Sequence, residues 1–277
     1  MARIVGGIFT SHVPAIGGAI AKGAQDTPYW KPFFDGFPPV RQWLRDARPD
    51  VAVVFYNDHG LNFFLDKMPT FAIGAAPEYR NADEGWGIPQ VPAFRGEEDL
   101  SWHLIESLVA EDFDIVTCQE MKVDHALTLP FSLLWPDERW PVTVVPVCIN
   151  TVLFPLPSAR RCLALGRAVG RAVENWAGDA RVLVIGSGGL SHQLEGQRAG
   201  HINKAFDLAF MDSLAKDPAW ATQYSINDLA KEAGTQGIEL LNWLAARGAL
   251  ADVARELHRN YHIPISNTAA ATMLFES

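Results

Sequence analysis

The sequence contains no run of about 18 consecutive apolar residues, so it predicts no membrane-spanning helix. It also lacks clusters of lysine and arginine, and its formal net charge of −9 argues against a nucleic-acid-binding surface. The three cysteines, Cys118, Cys148 and Cys162, form no CxxC pair, which favours reduced thiols over a disulfide framework. The start of the chain lacks the features of a signal peptide. We therefore expect a cytoplasmic protein that binds neither nucleic acid nor membrane.

No Pro/Gly/Ser-rich linker divides the chain, so we expect residues 1–277 to form a single domain. Short apolar runs rich in valine and isoleucine, at 4–9, 51–56, 142–149 and 182–185, are typical of strands buried on both faces. Helical patterns lie between these runs. The alternation predicts an α/β fold with a mostly parallel central sheet flanked by helices. Ligands of such sheets bind beyond the C-terminal ends of the strands, where we expect the active site.

The glycine-rich segment 186–192, GSGGLSH, lacks the defining residues of three common motifs. A P-loop needs a lysine, and no lysine is near. A dinucleotide fingerprint needs a third glycine at the position of Ser191. A nucleophile elbow needs G-x-S-x-G, which neither Ser187 nor Ser191 satisfies. We interpret the segment as a tight turn that presents His192 to a site built elsewhere.

Three histidines follow predicted buried strands at equivalent places. His12 comes after the first strand, His59 after the second, and His192 after the glycine-rich turn. A single histidine at such a place is more often a hydrogen-bonded loop residue than a ligand. Three of them at the edge of a sheet where ligands bind favour a shared functional site.

A carboxylate would complete the two-histidine, one-carboxylate set that binds non-haem iron and leaves positions open for reactants. Glu239 is the best candidate, because it lies at the margin of an apolar helix face and should be partly buried. The alternative for this residue is a solvated glutamate at the helix margin. Asp58 also competes, but alternation along the strand end points it away from the side that His59 faces.

Several blocks of the sequence carry a resemblance to a known family. They are TSHVPAIG at His12, VFYNDHG at His59, ADEGWG at 82–87, VDHALT at His125, GSGGLSHQLEGQRAGHIN, GIELLNWLAARGAL and HIPISNTA. Together they span nearly the whole chain. The sequence resembles the class III extradiol ring-cleavage dioxygenases, and within them the β subunits of protocatechuate 4,5-dioxygenases, with the gallate dioxygenase branch close.

The resemblance implies a non-haem Fe(II) held by His12, His59 and Glu239. It implies that His192 is the catalytic base and that His125 is a further catalytic histidine that lines the pocket. The reaction would be cleavage of a catechol ring beside the diol by O₂, which gives a ring-opened muconate semialdehyde. A histidine suits the base role because an unperturbed imidazole accepts and returns a proton near neutral pH.

The resemblance also places Asn57 and Ser266 near the substrate. Two positions depart from the family pattern: Gln236 stands where glutamate is expected, and Ala126 follows His125 where glycine is usual. Neither departure removes a ligand. The tail TAAATMLFES resembles the gallate dioxygenase branch and YHIPISNTA resembles the protocatechuate branch, so the substrate stays open between protocatechuate, gallate and 3-O-methylgallate. We expect an oligomer, and a separate small α subunit if the chain is of the protocatechuate type.

Other functions and metals remain to be distinguished. Two histidines and a carboxylate also suit Zn²⁺, so a zinc-dependent hydrolase on the same fold is the first alternative. The ligand set equally accepts manganese in place of iron. A non-enzymatic protein-binding module is the second alternative, and the joint presence of His12, His59, Glu239 and His192 argues against it.

Overall fold

The structure is a computed structural model that describes residues 1–85, 87–137, 139–265 and 267–277, so Ser266 lies outside the described residues. The described strands are β1 (Arg3–Thr10), β2 (Val51–Tyr56), β3 (Phe71–Gly74), β4 (Glu78–Asn81), β5 (Phe94–Arg95), β6 (Ile115–Cys118), β7 (Lys122–Val123), β8 (Thr143–Ile149), β9 (Arg181–Ser187), β10 (Arg255–Ile265) and β11 (Thr268–Glu276). The described α-helices are α1 (Pro14–Ala21), α2 (Lys31–Phe34), α3 (Pro38–Ala47), α4 (Glu98–Ala110), α5 (His125–Leu134), α6 (Ala159–Asn175), α7 (Lys204–Lys216), α8 (Ile226–Ala233) and α9 (Leu240–Ala249).

Eight of these strands form one sheet in the order β10-β11-β1-β9-β2-β8-β3-β6. The central strands β1, β9, β2 and β8 run parallel to one another, and β3 is parallel to β6. The pairs β1–β11, β10–β11 and β3–β8 are antiparallel. A second, small sheet has the order β5-β4-β7. The predicted α/β fold with a mostly parallel central sheet is confirmed, and all four apolar runs form strands.

Helices cover both faces of the large sheet. Alternate residues of its strands therefore enter two separate hydrophobic cores. Val53 and Phe55 of β2 belong to a core shared with α4, α6 and α9. Val54 and Tyr56 belong to the opposite core, shared with α1, α3 and α5. Burial on both faces explains why these strands are apolar nearly throughout. Within the described ranges, no helix is long and apolar enough to cross a membrane.

Helices α6 and α9 approach each other closely through glycines. A Cβ atom added at Gly166 would lie 1.8 Å from the carbonyl oxygen of Ala245, and one at Gly248 would lie 2.6 Å from that of Leu163. Only residues without a side chain permit this approach. The contact fixes α9 over the sheet, and the 3₁₀ turn Gly237–Glu239 leads directly into that helix.

Candidate metal centre

The loops that follow β1, β9 and β2 meet at one edge of the sheet, because β9 lies between the other two strands. His12 comes two residues after β1 and His59 three residues after β2. The glycine-rich turn after β9 carries His192 into the same region, and all three histidines line one cavity of about 320 Å³. The structure thus brings together the histidines that the strand ends predicted. A cavity of this size suits a small aromatic molecule.

Glycines in the turn after β9 let the segment carrying Glu239 pack directly on the strand end. Gly188 and Gly189 have positive φ angles of 141° and 57°, which favour glycine. A Cβ atom at Gly188 would lie 2.7 Å from the Cβ of Glu239. The turn predicted from the sequence is therefore present, and its glycines also make room for the carboxylate.

His12, His59 and Glu239 converge at the base of the cavity. His12 Nε2 lies 3.3 Å from Glu239 Oε2, and His59 Nε2 lies 3.4 Å from Glu239 Oε1. The carboxylate is buried, with an exposure of 6%. The side chain that the sequence predicted to be partly buried is thus almost completely enclosed between two imidazoles.

The hydrogen bonds around Ser187 fix the tautomer of His12. The Ser187 hydroxyl donates its proton to the Ala126 carbonyl, so its oxygen accepts from His12 Nδ1–H at 2.9 Å. His12 Nε2 therefore carries a lone pair. It is buried and makes no hydrogen bond within the part of the chain that the structure describes. A proton or a metal ion between this nitrogen and the carboxylate oxygen would satisfy both atoms, and the donor set fits a metal ion.

A carboxylate orients the second histidine in the same way. Asp124 Oδ2 accepts from the backbone nitrogen of His59 at 2.9 Å and lies 2.9 Å from its Nδ1. Such partners orient metal-binding histidines through the ring nitrogen that does not contact the metal. Burial opposes a charged imidazole, but Asp124 and Glu239 outweigh it and raise the pKa of His59 to about 10. These anionic surroundings stabilise positive charge where a metal ion would lie.

The Glu239 carboxylate is held by two further hydrogen bonds. Asn57 Nδ2 donates to its Oε1 at 3.2 Å, and Gly189 N donates to its Oε2 at 3.1 Å. Burial alone would raise the pKa of Glu239, but the nearby imidazoles of His12 and His59 lower it well below its usual value. The carboxylate is thus ionised and oriented before any ligand binds.

His125 lies beside the two strand-end histidines and is oriented by Glu84. Its ring centroid is 4.2 Å from that of His59 and 5.2 Å from that of His12. Glu84 Oε1 accepts from the His125 backbone nitrogen at 2.7 Å, and Glu84 Oε2 lies 2.5 Å from the ring Nδ1. Burial outweighs this carboxylate and lowers the pKa of His125. The ring is therefore neutral near neutral pH.

The geometry also admits a second ligand set. One nitrogen of His12, one of His59 and one of His125 all lie within 4.8 Å of one another. Three histidines are a zinc-binding set, whereas two histidines and a carboxylate are the usual set for non-haem iron. Glu239 and His125 are thus alternative third ligands, which metal-binding measurements on variants can separate.

His192 is buried on the wall of the same cavity and has a fixed tautomer. Its Nδ1 lies 2.9 Å from the Leu190 carbonyl oxygen, which can only accept, so Nδ1 carries the proton in the neutral ring. Nε2 is then the basic nitrogen. The neighbouring Ser191 anchors the loop that carries His192, because its hydroxyl donates to Asp207 Oδ2 at 2.7 Å. The neutral ring of His192 is therefore in the tautomer in which Nε2 can accept a proton.

Asn57 lies beneath the candidate ligands and is completely buried. Besides Glu239, its Nδ2 lies 3.2 Å from His59 Nε2, and its Oδ1 accepts from Asn242 Nδ2 at 2.9 Å. It is not among the described residues that line the cavity. Its expected contact with substrate stays a prediction, and the observed contacts give it a role in orienting Glu239.

Asp58 faces away from the candidate metal centre, as the alternation along the strand predicted. Its carboxylate accepts from the backbone nitrogens of Gly60 at 3.0 Å and Leu61 at 2.9 Å. These bonds shape the loop that follows His59. Asp58 therefore supports the loop, and Glu239 is the carboxylate that lies beside both His12 and His59.

Three residues that orient the histidines are not predicted from the sequence: Ser187, Asp124 and Glu84. Asp124 has a local signal, since it directly precedes a helix and its side chain accepts from the Ala126 nitrogen at the first turn. Glu84 lies in the ADEGWG block, but no spacing rule connects it to His125. Contacts of this kind depend on the tertiary fold.

Comparisons with known proteins identify the family of this chain. The family described as the catalytic LigB subunit of aromatic ring-opening dioxygenase matches residues 6–271. A gallate dioxygenase from Pseudomonas putida is 38% identical over 197 residues, which are 71% of this chain and 58% of that protein. A 2,3-dihydroxyphenylpropionate/2,3-dihydroxicinnamic acid 1,2-dioxygenase from Photorhabdus laumondii is 36% identical over 186 residues, covering 67% and 55%. The chain thus spans less than two thirds of the length of these two relatives.

Two further comparisons cover more of both chains. The 2,3-dihydroxyphenylpropionate/2,3-dihydroxicinnamic acid 1,2-dioxygenase of Cupriavidus necator is 32% identical over 260 residues, with 76% of this chain and 79% of that protein covered. The crystal structure of an uncharacterised protein from Escherichia coli K12 superposes with a TM-score of 0.58 at 14% identity, covering 98% and 99%. That structure shows a shared fold only. The match over residues 6–271 shows that this chain belongs to the family of catalytic LigB subunits of aromatic ring-opening dioxygenases.

Proposed function

We propose that residues 1–277 form one catalytic domain that cleaves the ring of a carboxylated catechol beside the diol with O₂ and Fe(II). The observation that carries the proposal is the lone pair of His12 Nε2, buried without a hydrogen bond among the described residues and 3.3 Å from the Glu239 carboxylate. His12, His59 and Glu239 would hold the metal. Membership of the ring-opening family supports iron and oxygen chemistry at this site.

Bound Fe(II) would supply a redox-active centre with open positions where the two reactants can meet. The protein's own contribution is to arrange the groups around that position. Asp124 and Ser187 keep the ligand nitrogens of His59 and His12 directed at Glu239. Because these partners are in place beforehand, little reorganisation is needed when the metal binds.

His192 would accept the phenolic proton of the substrate at Nε2. Its Nδ1 proton is engaged by the Leu190 carbonyl, so the basic nitrogen is the other one. His125, neutral because burial lowers its pKa, would form part of the cavity wall and orient the reactants. The pocket surface is mostly apolar, with Val13, Val152 and Phe154 among its lining residues, which suits an aromatic ring.

The sharpest test is anaerobic reconstitution of the purified chain with Fe(II), followed by air and one candidate substrate. Protocatechuate, gallate and 3-O-methylgallate are the candidates, and the gallate dioxygenase relative supports gallate in particular. We expect one O₂ consumed per substrate and a yellow ring-opened product. If no catechol, including 2,3-dihydroxyphenylpropionate, consumes O₂ with Fe(II) or Mn(II), the proposal is wrong.

A zinc-dependent hydrolase is the second candidate, and the three-histidine cluster of His12, His59 and His125 is the observation that favours it. Metal analysis of the protein as purified from cells separates the two. Bound zinc together with oxygen-independent hydrolysis would support this alternative. Bound iron, and activity that stops under nitrogen, would exclude it.

We also propose that a separate small subunit covers the cavity. The chain would act as an oligomer, and it would do so in the cytoplasm. Half-exposed apolar side chains at the cavity support a covering partner: Val152, Phe154 and Leu194 are 50%, 56% and 53% exposed. The cysteines are free, as a reducing compartment requires. Light scattering of the purified protein tests the oligomer, since a mass of 30.5 kDa would identify a monomer.

A further inference from the structure

Two enclosed side-chain atoms of the cavity make no hydrogen bond to any described residue: His12 Nε2 and Thr151 Oγ1. The candidate metal centre accounts for the His12 nitrogen. Thr151 is buried, with an exposure of 3%, and its hydroxyl has no part in that centre. A buried hydroxyl without a partner is unfavourable, because folding has removed its water and supplied no replacement. A ligand atom that enters the cavity can restore the missing hydrogen bond.

Thr151 leaves the sheet beside His59 and at the same level. Strand β8 is the neighbour of β2, and Tyr56 pairs with Cys148 where the two strands end. His59 and Thr151 each come three residues after that pair. Neighbouring strands lie about 4.8 Å apart, so the two loops run side by side. Along the edge of the sheet, the three loops therefore follow in the order of His192, His59 and Thr151.

Asn150 holds the loop after β8 in one conformation. Its Oδ1 accepts from the backbone nitrogens of Val152 at 3.2 Å and Leu153 at 3.0 Å. Its Nδ2 donates to the Leu153 carbonyl at 2.7 Å. Hydrogen bonds of this kind between an asparagine side chain and the backbone fix a turn. Thr151 lies inside this turn, which keeps the residue at the cavity.

The surroundings of Thr151 favour a neutral polar substituent of the substrate over a carboxylate. Among the described residues that line the cavity, none is lysine or arginine, and Val152 and Phe154 of the same loop are apolar. An enclosed carboxylate needs several donors, and one hydroxyl can donate only once. A phenolic hydroxyl donates and accepts, as the threonine hydroxyl does, so the two form a neutral pair.

The position of Thr151 fits a ring hydroxyl next to the diol. In a carboxylated catechol such as gallate, the carboxylate stands on the far side of the ring from the diol, whereas the third hydroxyl adjoins the diol. When the diol is held at His59 and one edge of the ring lies beside His192, the other edge faces the loop that carries Thr151. A third hydroxyl can therefore reach Thr151 while the carboxylate points away from the candidate metal centre.

We propose that Thr151 is a specificity-determining residue that hydrogen-bonds to a third ring hydroxyl beside the diol of the substrate. The inference rests on the proposed function. It makes the preferred substrate class a trihydroxylated ring such as gallate, which gives the Thr151 hydroxyl its partner. A ring that carries only the diol, such as protocatechuate, leaves that hydroxyl unpaired and is selected against.

The test compares metal-loaded wild-type protein with Thr151→Val on two pairs of compounds that differ only by the third hydroxyl: gallate with protocatechuate, and pyrogallol with catechol. Valine has nearly the shape of threonine but no hydroxyl. We expect kcat/KM for gallate and pyrogallol to fall about 10- to 100-fold, and that for protocatechuate and catechol to change less than about threefold. Thr151→Ser keeps a hydroxyl and should retain the wild-type preference. Equal losses within each pair, or no loss, would overturn the proposal.

Thr117→Val is the matched control, because Thr117 is exposed on the edge strand β6 and is not among the described residues that line the cavity. Its preference within each pair should match that of the wild type. Thr268 also lines the cavity, so Thr268→Val tests whether its hydroxyl discriminates instead. A loss for gallate and pyrogallol that occurs in Thr268→Val and not in Thr151→Val would overturn the proposal.

If wild-type protein cleaves none of the four compounds, the proposed function is wrong, yet the inference remains testable by binding. Calorimetric dissociation constants on Fe(II)-loaded protein without oxygen then replace kcat/KM, and they serve equally for any single compound that is not cleaved. Tighter binding of gallate than of protocatechuate, lost in Thr151→Val, would support the inference. Absence of gallate binding, or an unchanged ratio of the two constants in Thr151→Val, would contradict it.

Discussion

Glu84 accepts two hydrogen bonds from His125, one from its backbone nitrogen at 2.7 Å and one from its ring Nδ1 at 2.5 Å. The two residues are 41 positions apart, and the loop that carries Glu84 is thereby tied to the start of α5. This carboxylate fixes both the position and the tautomer of a histidine that lines the cavity. It does so without touching the cavity's other histidines.

Glu84→Gln is therefore expected to impair turnover more than folding. The amide can accept one of the two hydrogen bonds but cannot hold the ring in one tautomer as an ion does. Loss of such a partner typically costs about 10- to 100-fold in activity or metal affinity. Steady-state kcat on the preferred catechol measures the effect, and metal content should stay near that of the wild type. Glu78→Gln, at an exposed ion pair with Arg80, is the control and should leave kcat unchanged.

Glu239→Ala tests which side chain is the third metal ligand. Removing a buried carboxylate between His12 and His59 should raise the Fe(II) dissociation constant by more than the roughly 10- to 100-fold typical of losing an outer partner. Metal titration followed by iron analysis after gel filtration measures it. Glu195→Ala, on the exposed loop nearby, should bind iron as the wild type does. Full iron retention in Glu239→Ala would instead favour the set of His12, His59 and His125.

His192→Phe separates proton transfer from metal binding. The variant should keep its iron, because His192 is not one of the proposed ligands. Without the basic Nε2, kcat should fall by about 10²- to 10⁴-fold, the usual contribution of a general base. His103→Phe is a matched control, since His103 hydrogen-bonds to the Ala172 carbonyl of helix α6 and is not among the described residues that line the cavity. Unchanged kcat in His192→Phe would show that another group accepts the proton.

The sequence alone predicts the strands that position this site, but it does not predict the hydrogen bonds that orient the side chains of the site. The runs that became β2 and β9 are buried on both faces, so continuous apolar residues mark them. The edge strand β6 is partly exposed and carries no such signal. His59 is held by Asp124, 65 residues away, and a contact at that separation follows from topology. No local pattern encodes it.

The side-chain direction of Asn57 is likewise not predictable from the sequence. Its place directly after β2 puts Asn57 next to His59 and Glu239, and the family resemblance predicts a substrate contact. The direction of the Asn57 side chain depends on Asn242 of α9, whose Nδ2 donates to Asn57 Oδ1 at 2.9 Å. The approach of α9 is set in turn by glycines of α6, which leads to a prediction about stability.

Gly166→Ala should destabilise the protein although alanine is the better helix former. The new methyl group would lie 1.8 Å from the Ala245 carbonyl oxygen, so α6 and α9 must move apart. Overpacking of this kind costs about 1–3 kcal/mol in the free energy of unfolding, which urea denaturation followed by circular dichroism can measure.

Gly18→Ala is the matched control for that substitution. Gly18 lies inside helix α1, where a Cβ atom would meet no heavy atom within 4 Å. Helix propensity then acts alone, and the variant should be more stable than the wild type by about 0.5–1 kcal/mol. The two substitutions are chemically identical, so their opposite signs isolate the helix contact. If Gly166→Ala were as stable as Gly18→Ala, close packing of α6 on α9 would not be what fixes the segment that carries Glu239.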